Sequence, residues 1–209
     1  MNGRLVAFEG IDGSGKSTLV KRLPDVLQHT CSQKVFVCGE RQSPVRSLIQ
    51  DVGLKDLTPF EKIFLFAADR AITYERVFLP EMQAGSLVLW DRYVDSAIVY
   101  RDVELRKYPS EIVGMEFVEM INSPFRRPDL TILVNVEVKT AVARALSSGS
   151  TQPYDVDFLR VASERYLDLA STDPSYMVVS GEVPEEILVD RVVSIIKEKW
   201  PELFNRPSS

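Results

Sequence analysis

Short apolar runs recur along the chain at 5–8, 34–38, 87–90, 130–136 and 176–179, each rich in Val, Leu or aromatic residues. Runs of this length bounded by turn residues read as buried strands. Between them, apolar residues return every three or four positions. That period predicts helices near 16–29, 44–52, 59–83, 95–106, 109–121, 138–146, 155–171 and 184–199. Pro59, Pro109 and Pro184 fall where first-turn prolines belong. Gly53, Gly85 and Gly181 read as turns or helix stops. Strand and helix alternate, so the expected fold is an α/β three-layer domain with a five-stranded parallel sheet and helices on both faces. One domain is expected over 1–209, with a frayed tail at 201–209. A small, polar stretch at 147–153 interrupts the alternation and is expected to be a short mobile lid.

The first strand runs into Gly10-Ile11-Asp12-Gly13-Ser14-Gly15-Lys16-Ser17-Thr18, and an amphipathic helix runs out of it. Strand, glycine loop and helix in that order make a P-loop, so the domain is of P-loop NTPase type. Backbone N–H groups of Gly10, Asp12, Gly13, Ser14 and Gly15 can turn inward around phosphate oxygens. The helix start at Lys16, Ser17 and Thr18 adds its positive dipole end. Lys16 supplies a point charge, and Ser17 can ligate Mg²⁺. These residues imply a phosphate site that can take Mg²⁺.

Composition narrows the picture. Net charge is −5, which lacks the basic footprint of a nucleic-acid binder. No apolar run approaches the ~20 residues of a membrane span, and no signal peptide is expected. Cys31 and Cys38 form no metal pattern and need no disulfide, which fits a reducing cytoplasm. His29, the one histidine, closes the first helix and is expected at the surface.

Four further constellations follow. The run 87–90 ends in Asp91-Arg92-Tyr93, and a strand-end Asp beside a P-loop can hold the water shell of Mg²⁺ while Arg92 clamps a phosphate. Phe66, Arg70, Thr73 and Val77 share one helix stripe, so Phe66 can stack a base and Arg70 can donate to its carbonyl. Phe60, Phe64, Ala67, Ala71 and Tyr74 form a neighbouring stripe expected to meet the sheet. Ser96 and Tyr100 lie one turn apart, where a tyrosine can rest against a sugar. Arg41 and Arg46 follow the second strand and are phosphate-binding candidates.

The stretches Phe-Glu-Gly-Ile-Asp-Gly-Ser-Gly-Lys-Ser-Thr (8–18), Phe-Ala-Ala-Asp-Arg-Ala (66–71), Asp-Arg-Tyr-Val-Asp-Ser-Ala-Ile-Val-Tyr (91–100) and Pro-Asp-Leu-Thr-Ile-Leu-Val (128–134) together resemble thymidylate kinases. The resemblance implies transfer of the ATP γ-phosphoryl group to dTMP, giving dTDP on the way to dTTP, by a homodimer. It implies that Lys16 and Arg92 hold the transferred group, Ser17 and Asp91 arrange Mg²⁺, and Asp12 lies by the acceptor's 3′-hydroxyl and phosphate. By the same resemblance Phe66 stacks thymine, Arg70 donates to O4 and Tyr100 underlies the deoxyribose. Arg41 would hold the acceptor phosphate, and Arg144 would lie near the donor adenine. A nucleoside kinase, a monophosphate kinase for another base and a weakly active nucleotide-binding homologue are the alternatives.

The chain departs from the pattern at several points. Glu40-Arg41-Gln42-Ser43 is shorter than the usual segment, Ala97 offers no amide or hydroxyl to a base, and Arg101 and Asn135 replace a frequent Gln and Asp. Thymidylate kinases place a catalytic arginine after the P-loop Asp or in the lid; here those places hold Gly13 and the uncharged 147–153. The expectation is that no side chain fully replaces that charge. Arg165 is expected to turn inward more readily than Arg160, and Gly13→Arg is expected to fit the loop.

Overall fold

The computed structural model describes residues 3–39, 44–54, 56–108, 113–147 and 155–204. Five strands form one sheet in the order β2-β3-β1-β4-β5, parallel throughout. They are β1 (Arg4–Glu9), β2 (Val35–Gly39), β3 (Leu87–Asp91), β4 (Leu130–Asn135) and β5 (Tyr176–Ser180). Between them run α1 (Lys16–Leu27), α2 (Pro44–Val52), α3 (Pro59–Thr73), α4 (Leu79–Gln83), α5 (Val94–Lys107), α6 (Met115–Asn122), α7 (Val138–Ser147) and α8 (Val156–Thr172), and α9 (Glu185–Lys199) follows β5.

Alternation along β1 explains the three layers, since successive side chains leave a strand on opposite faces. Val6 and Phe8 pack with Leu19 and Leu23 of α1 and Val192 and Ile196 of α9. Leu5 and Ala7 face the other way, onto Phe78, Met82 and Tyr93. Both faces of the strand are therefore covered, as a central parallel strand requires. The chain reaches β2 and β3 on one side of β1 and then crosses to β4 and β5 on the other. Such a reversal opens a crevice at the carboxyl ends of the strands. Register pairs Phe8 with Asp91, which places the strand-end carboxylate two residues from the start of the glycine loop.

Several expectations change in detail. The helix foreseen over 59–83 is divided by a π-helical turn at Tyr74–Phe78, where the Leu79 N–H donates to the Tyr74 carbonyl. Pro80 has no N–H and its ring crowds the carbonyl four residues back, and a wider turn relieves that conflict. Phe60 and Phe64 do not meet the sheet. They meet edge to face with ring centroids 4.9 Å apart, and the Phe64 centroid lies 5.6 Å from that of Phe117 of α6. The helix foreseen from 109 begins at Met115, with Gly114 at its N-cap; 109–112 lie outside the described residues. Pro184 is the N-cap of α9 rather than its first turn. The tail is not frayed from 201: Pro201–Leu203 form a 3₁₀ turn, Leu203 is buried, and its carbonyl accepts from the Ser32 N–H at 2.7 Å.

Candidate active site

The loop after β1 is shaped by glycines with positive φ. At Gly13 φ is +79°, and a Cβ there would lie 2.2 Å from the Ala141 carbonyl oxygen of α7. No side chain fits that gap, so the expected tolerance of Gly13→Arg does not hold in this structure. Gly15 caps α1, and Lys16 opens it. Lys16 is buried, and its ammonium donates to the Ile11 carbonyl at 2.8 Å and to Ser14 Oγ at 3.3 Å. Burial and then the Arg92 charge bring Lys16 down to about 8, against the pull of Asp91, Asp12 and Glu9. An anion held at the loop would favour the ammonium again.

Asp91 faces this loop from β3. Ser17 Oγ donates to Asp91 Oδ2 at 2.7 Å, while Asp91 Oδ1 is buried with no hydrogen-bond partner among the described residues. A hydroxyl beside an under-satisfied carboxylate suits hydrated Mg²⁺, which takes few protein ligands and keeps its waters.

Arg92 follows with φ +61°, a left-handed conformation few side chains adopt, and its N–H donates to the Phe8 carbonyl at 3.1 Å. Its guanidinium pairs with Asp12 and donates to the Gly10 carbonyl and the Tyr100 hydroxyl, each at 3.3 Å. Tyr100 also donates to Asp12 Oδ2 at 3.3 Å. Burial alone would raise Asp12, but Arg92, Lys16, the Tyr100 hydroxyl and Arg46 outweigh it and hold the carboxyl below its ordinary value.

A cavity of about 700 Å³ begins at Gly15 and Lys16, passes Asp91, Arg92 and Tyr100, and ends between Phe66 and Arg70. Phe66 is half-buried on its wall. Arg70 is buried, donating to Asn122 Oδ1 and, at 3.5 Å, to the Tyr93 carbonyl. One continuous space thus joins the glycine loop and Lys16 to an aromatic ring and an arginine.

A family model described as thymidylate kinase matches residues 8–192. The chain belongs to the thymidylate kinase family. A "probable thymidylate kinase" of Pyrobaculum aerophilum is 36% identical over 92% of this chain and 95% of its own. Proteins of the same printed name from Caldivirga maquilingensis and Pyrobaculum calidifontis are 32% and 33% identical, over 93% and 95% of this chain and 93% and 98% of theirs.

Most foreseen residues converge on the cavity: Asp12, Gly13, Gly15, Lys16, Ser17, Thr18, Phe66, Arg70, Asp91, Arg92, Ser96, Tyr100 and Arg144 all line it. Arg41 and the 148–153 part of the lid lie outside the described residues; Arg46, from the same stretch as Arg41, lines the cavity. Ser96 reaches the wall, yet its hydroxyl is bonded to Glu9 and lies 2.9 Å from the Tyr166 hydroxyl. Arg165 does not turn inward. It pairs with Asp102 at 2.6 Å and Asp168 at 3.5 Å, and Arg160 is exposed and pairs with Glu164.

Sequence reasoning missed the polar wall behind Phe66. Lys62 and Arg101 share the buried carboxylate of Glu104, at 2.8 and 3.1 Å. The Arg101 guanidinium lies 5.6 Å from the Phe66 ring centroid. Ala97 and Arg101 are one helical turn apart and both line the cavity, so a small residue leaves room beside a long one. Glu9 was also missed; the available signal was a carboxylate ending an apolar strand just before Gly10.

Proposed function

We propose that this chain transfers the γ-phosphoryl group of ATP to dTMP, giving dTDP and ADP. The observation that carries the proposal is the continuous cavity, which offers a phosphate cradle at one end and Phe66 with Arg70 at the other. An oxygen of the acceptor phosphate attacks the γ-phosphorus, and the bond to the β–γ bridging oxygen breaks. The attacking oxygen is already anionic, so positioning and charge neutralisation carry the chemistry without a general base. Lys16 and the amides of the loop and first α1 turn hold the donor phosphates, and Arg92 meets the transferred group. Asp12 lies beside the acceptor's phosphate end and keeps Arg92 aligned until phosphate arrives. Phe66 stacks the thymine, Arg70 donates to its O4, and Tyr100 with Ser96 borders the deoxyribose. Arg41 holds the acceptor phosphate, and Arg144 lies near the donor adenine. Ser17 and Asp91 would hold Mg²⁺, which neutralises phosphate charge when bound.

A homodimer is part of the proposal. Phe64 and Met120 are 44% and 60% exposed on α3 and α6, an apolar surface that a second copy would cover. Sedimentation at micromolar concentration tests it, and a monomer throughout refutes it. A cytoplasmic setting suits the buried, unbridged Cys31 and Cys38. No helix among the described residues is long and apolar enough to cross a membrane.

The test is ADP release with ATP and Mg²⁺ across dTMP, dUMP, dCMP, dGMP, thymidine and deoxycytidine. The highest kcat/KM is expected for dTMP. Preference for a free nucleoside, or no release with any monophosphate, refutes the proposal.

A further inference from the structure

Glu9 ends β1 and is fully buried beside the site, yet none of the roles above uses it. Its Oε1 accepts from the backbone N–H groups of Tyr93 at 2.9 Å and Ser96 at 3.3 Å. Its Oε2 accepts from the hydroxyls of Ser96 and, at 3.3 Å, Tyr166. Tyr93 is the N-cap residue of α5 and Ser96 its third helical residue, and no side chain from within the helix start makes the cap. Orphan N–H groups at a helix start are ordinarily met by the N-cap side chain. Here the acceptor comes from another strand, 84 residues away from Tyr93.

The residue before the cap is Arg92, with its left-handed backbone. A side chain stays in that region only where its surroundings fix it. The fixing points are adjacent: the Arg92 N–H is tied to the Phe8 carbonyl and the next N–H, of Tyr93, to Glu9. Both acceptors are consecutive residues of β1, immediately before the glycine loop. Arg92 is thus referenced directly to the strand that carries the phosphate cradle.

We propose that Glu9 is a positioning residue for phosphoryl transfer. It caps α5 from β1, and so holds the Arg92 backbone in the conformation that aims the guanidinium at the transferred group. Through Tyr166 it ties α8 to the same point. The inference rests on the reading of Arg92 given under the proposed function.

The test is a double-mutant cycle read in kcat and both KM values, with Glu9→Met, Glu9→Gln, Arg92→Ala and the Met/Ala double variant. Misplacing a reacting group by an ångström costs about a hundredfold, so Glu9→Met should lower kcat by about 30- to 100-fold with both KM values within about threefold. Glu9→Gln keeps a carbonyl acceptor for the two N–H groups and should stay within about fivefold of wild type. In the Arg92→Ala background, Glu9→Met should cost less than about threefold, because residues acting through one another are not additive. An equal loss in both backgrounds, or Glu9→Gln as impaired as Glu9→Met, overturns the inference while leaving the proposed function intact. Arg92→Ala with near wild-type kcat overturns the role of Arg92 and this inference with it. If circular dichroism shows Glu9→Met unfolded, Glu9→Asp takes its place in the cycle. Its carboxylate is retracted by one methylene; a loss of about tenfold confined to the Arg92 background is expected, and an equal loss in both overturns the inference.

Discussion

Gly13 links the glycine loop to α7 through a contact that no side chain can share, and replacing it gives a quantitative test. A Cβ built there lies 2.2 Å from the Ala141 oxygen and 2.8 Å from its carbonyl carbon, where ordinary contacts begin at 3.4 Å. Loop and helix must part by roughly the difference, about 1.2 Å. Ala141 is fully buried and packs in the cluster that holds Phe158, Leu159 and Ala162 of α8. Moving it therefore disturbs a packed layer, at ~1–3 kcal/mol. The left-handed backbone at φ +79° adds ~1–2 kcal/mol for any L-residue with a Cβ. Together these reach ~2–5 kcal/mol, a large part of the ~5–15 kcal/mol of a typical fold. For a chain of this size that is a fall in Tm on the order of 10 °C. Gly13→Ala should show it by calorimetry, with kcat also reduced because the loop amides shift. Gly13→Arg carries the same Cβ and should lose kcat rather than gain it. A Tm within about 2 °C of wild type for Gly13→Ala, or a raised kcat for Gly13→Arg, would refute this account of the loop.

Phe66→Ala should weaken dTMP binding by ~1–3 kcal/mol, the range for a base stacked on an aromatic ring, and leave ATP KM alone; a rise confined to ATP KM would place the base elsewhere. Tyr100→Ala should raise the ribo-to-deoxyribo ratio of kcat/KM, and an unchanged ratio removes the sugar contact. Tyr100→Phe should not be silent, because the hydroxyl bonds to both Asp12 and Arg92: a kcat loss of about tenfold or more is expected when both bonds go, and wild-type kcat would show that hydroxyl to be dispensable.

The glycine loop, the Asp-Arg-Tyr turn and the Phe66–Arg70 stripe are legible in the sequence because each is local. Each is made of residues within one turn of chain or one helical turn of each other. The sheet was legible for a similar reason, since a five-residue apolar run carries its own period. What escaped depends on distant partners. Arg70 is fixed by Asn122, 52 residues on, and α5 is capped by Glu9 from another strand. Nothing in the spacing of Gly13 reveals that α7 passes within contact distance of it. The stripe of Phe60 and Phe64 was assigned to the sheet because an apolar face shows that it is covered, not by what.

The displaced arginine shows the same limit in charge. A helix projection places Arg165 beside the buried face of α8, and from there an inward turn looks open. Asp102, however, sits opposite on α5 and takes Arg165 at 2.6 Å, while also holding Arg106 at 2.9 Å. The cation is therefore engaged in fastening α8 to α5, well apart from the glycine loop. Arg144 is engaged differently. It donates to the Gly181 carbonyl at 2.9 Å, and its Nη1 would stand 4.0 Å from a Cβ on Gly15. A guanidinium that close to the helix-capping glycine adds to the positive field of Lys16 and the α1 N-terminus. The place left uncharged by Gly13 thus borders a cation from the last turns of α7, on the helix whose backbone excludes any side chain at Gly13. The close approach of α7 to the loop forbids an arginine at Gly13, and it also carries Arg144 to the glycine-loop end of the cavity.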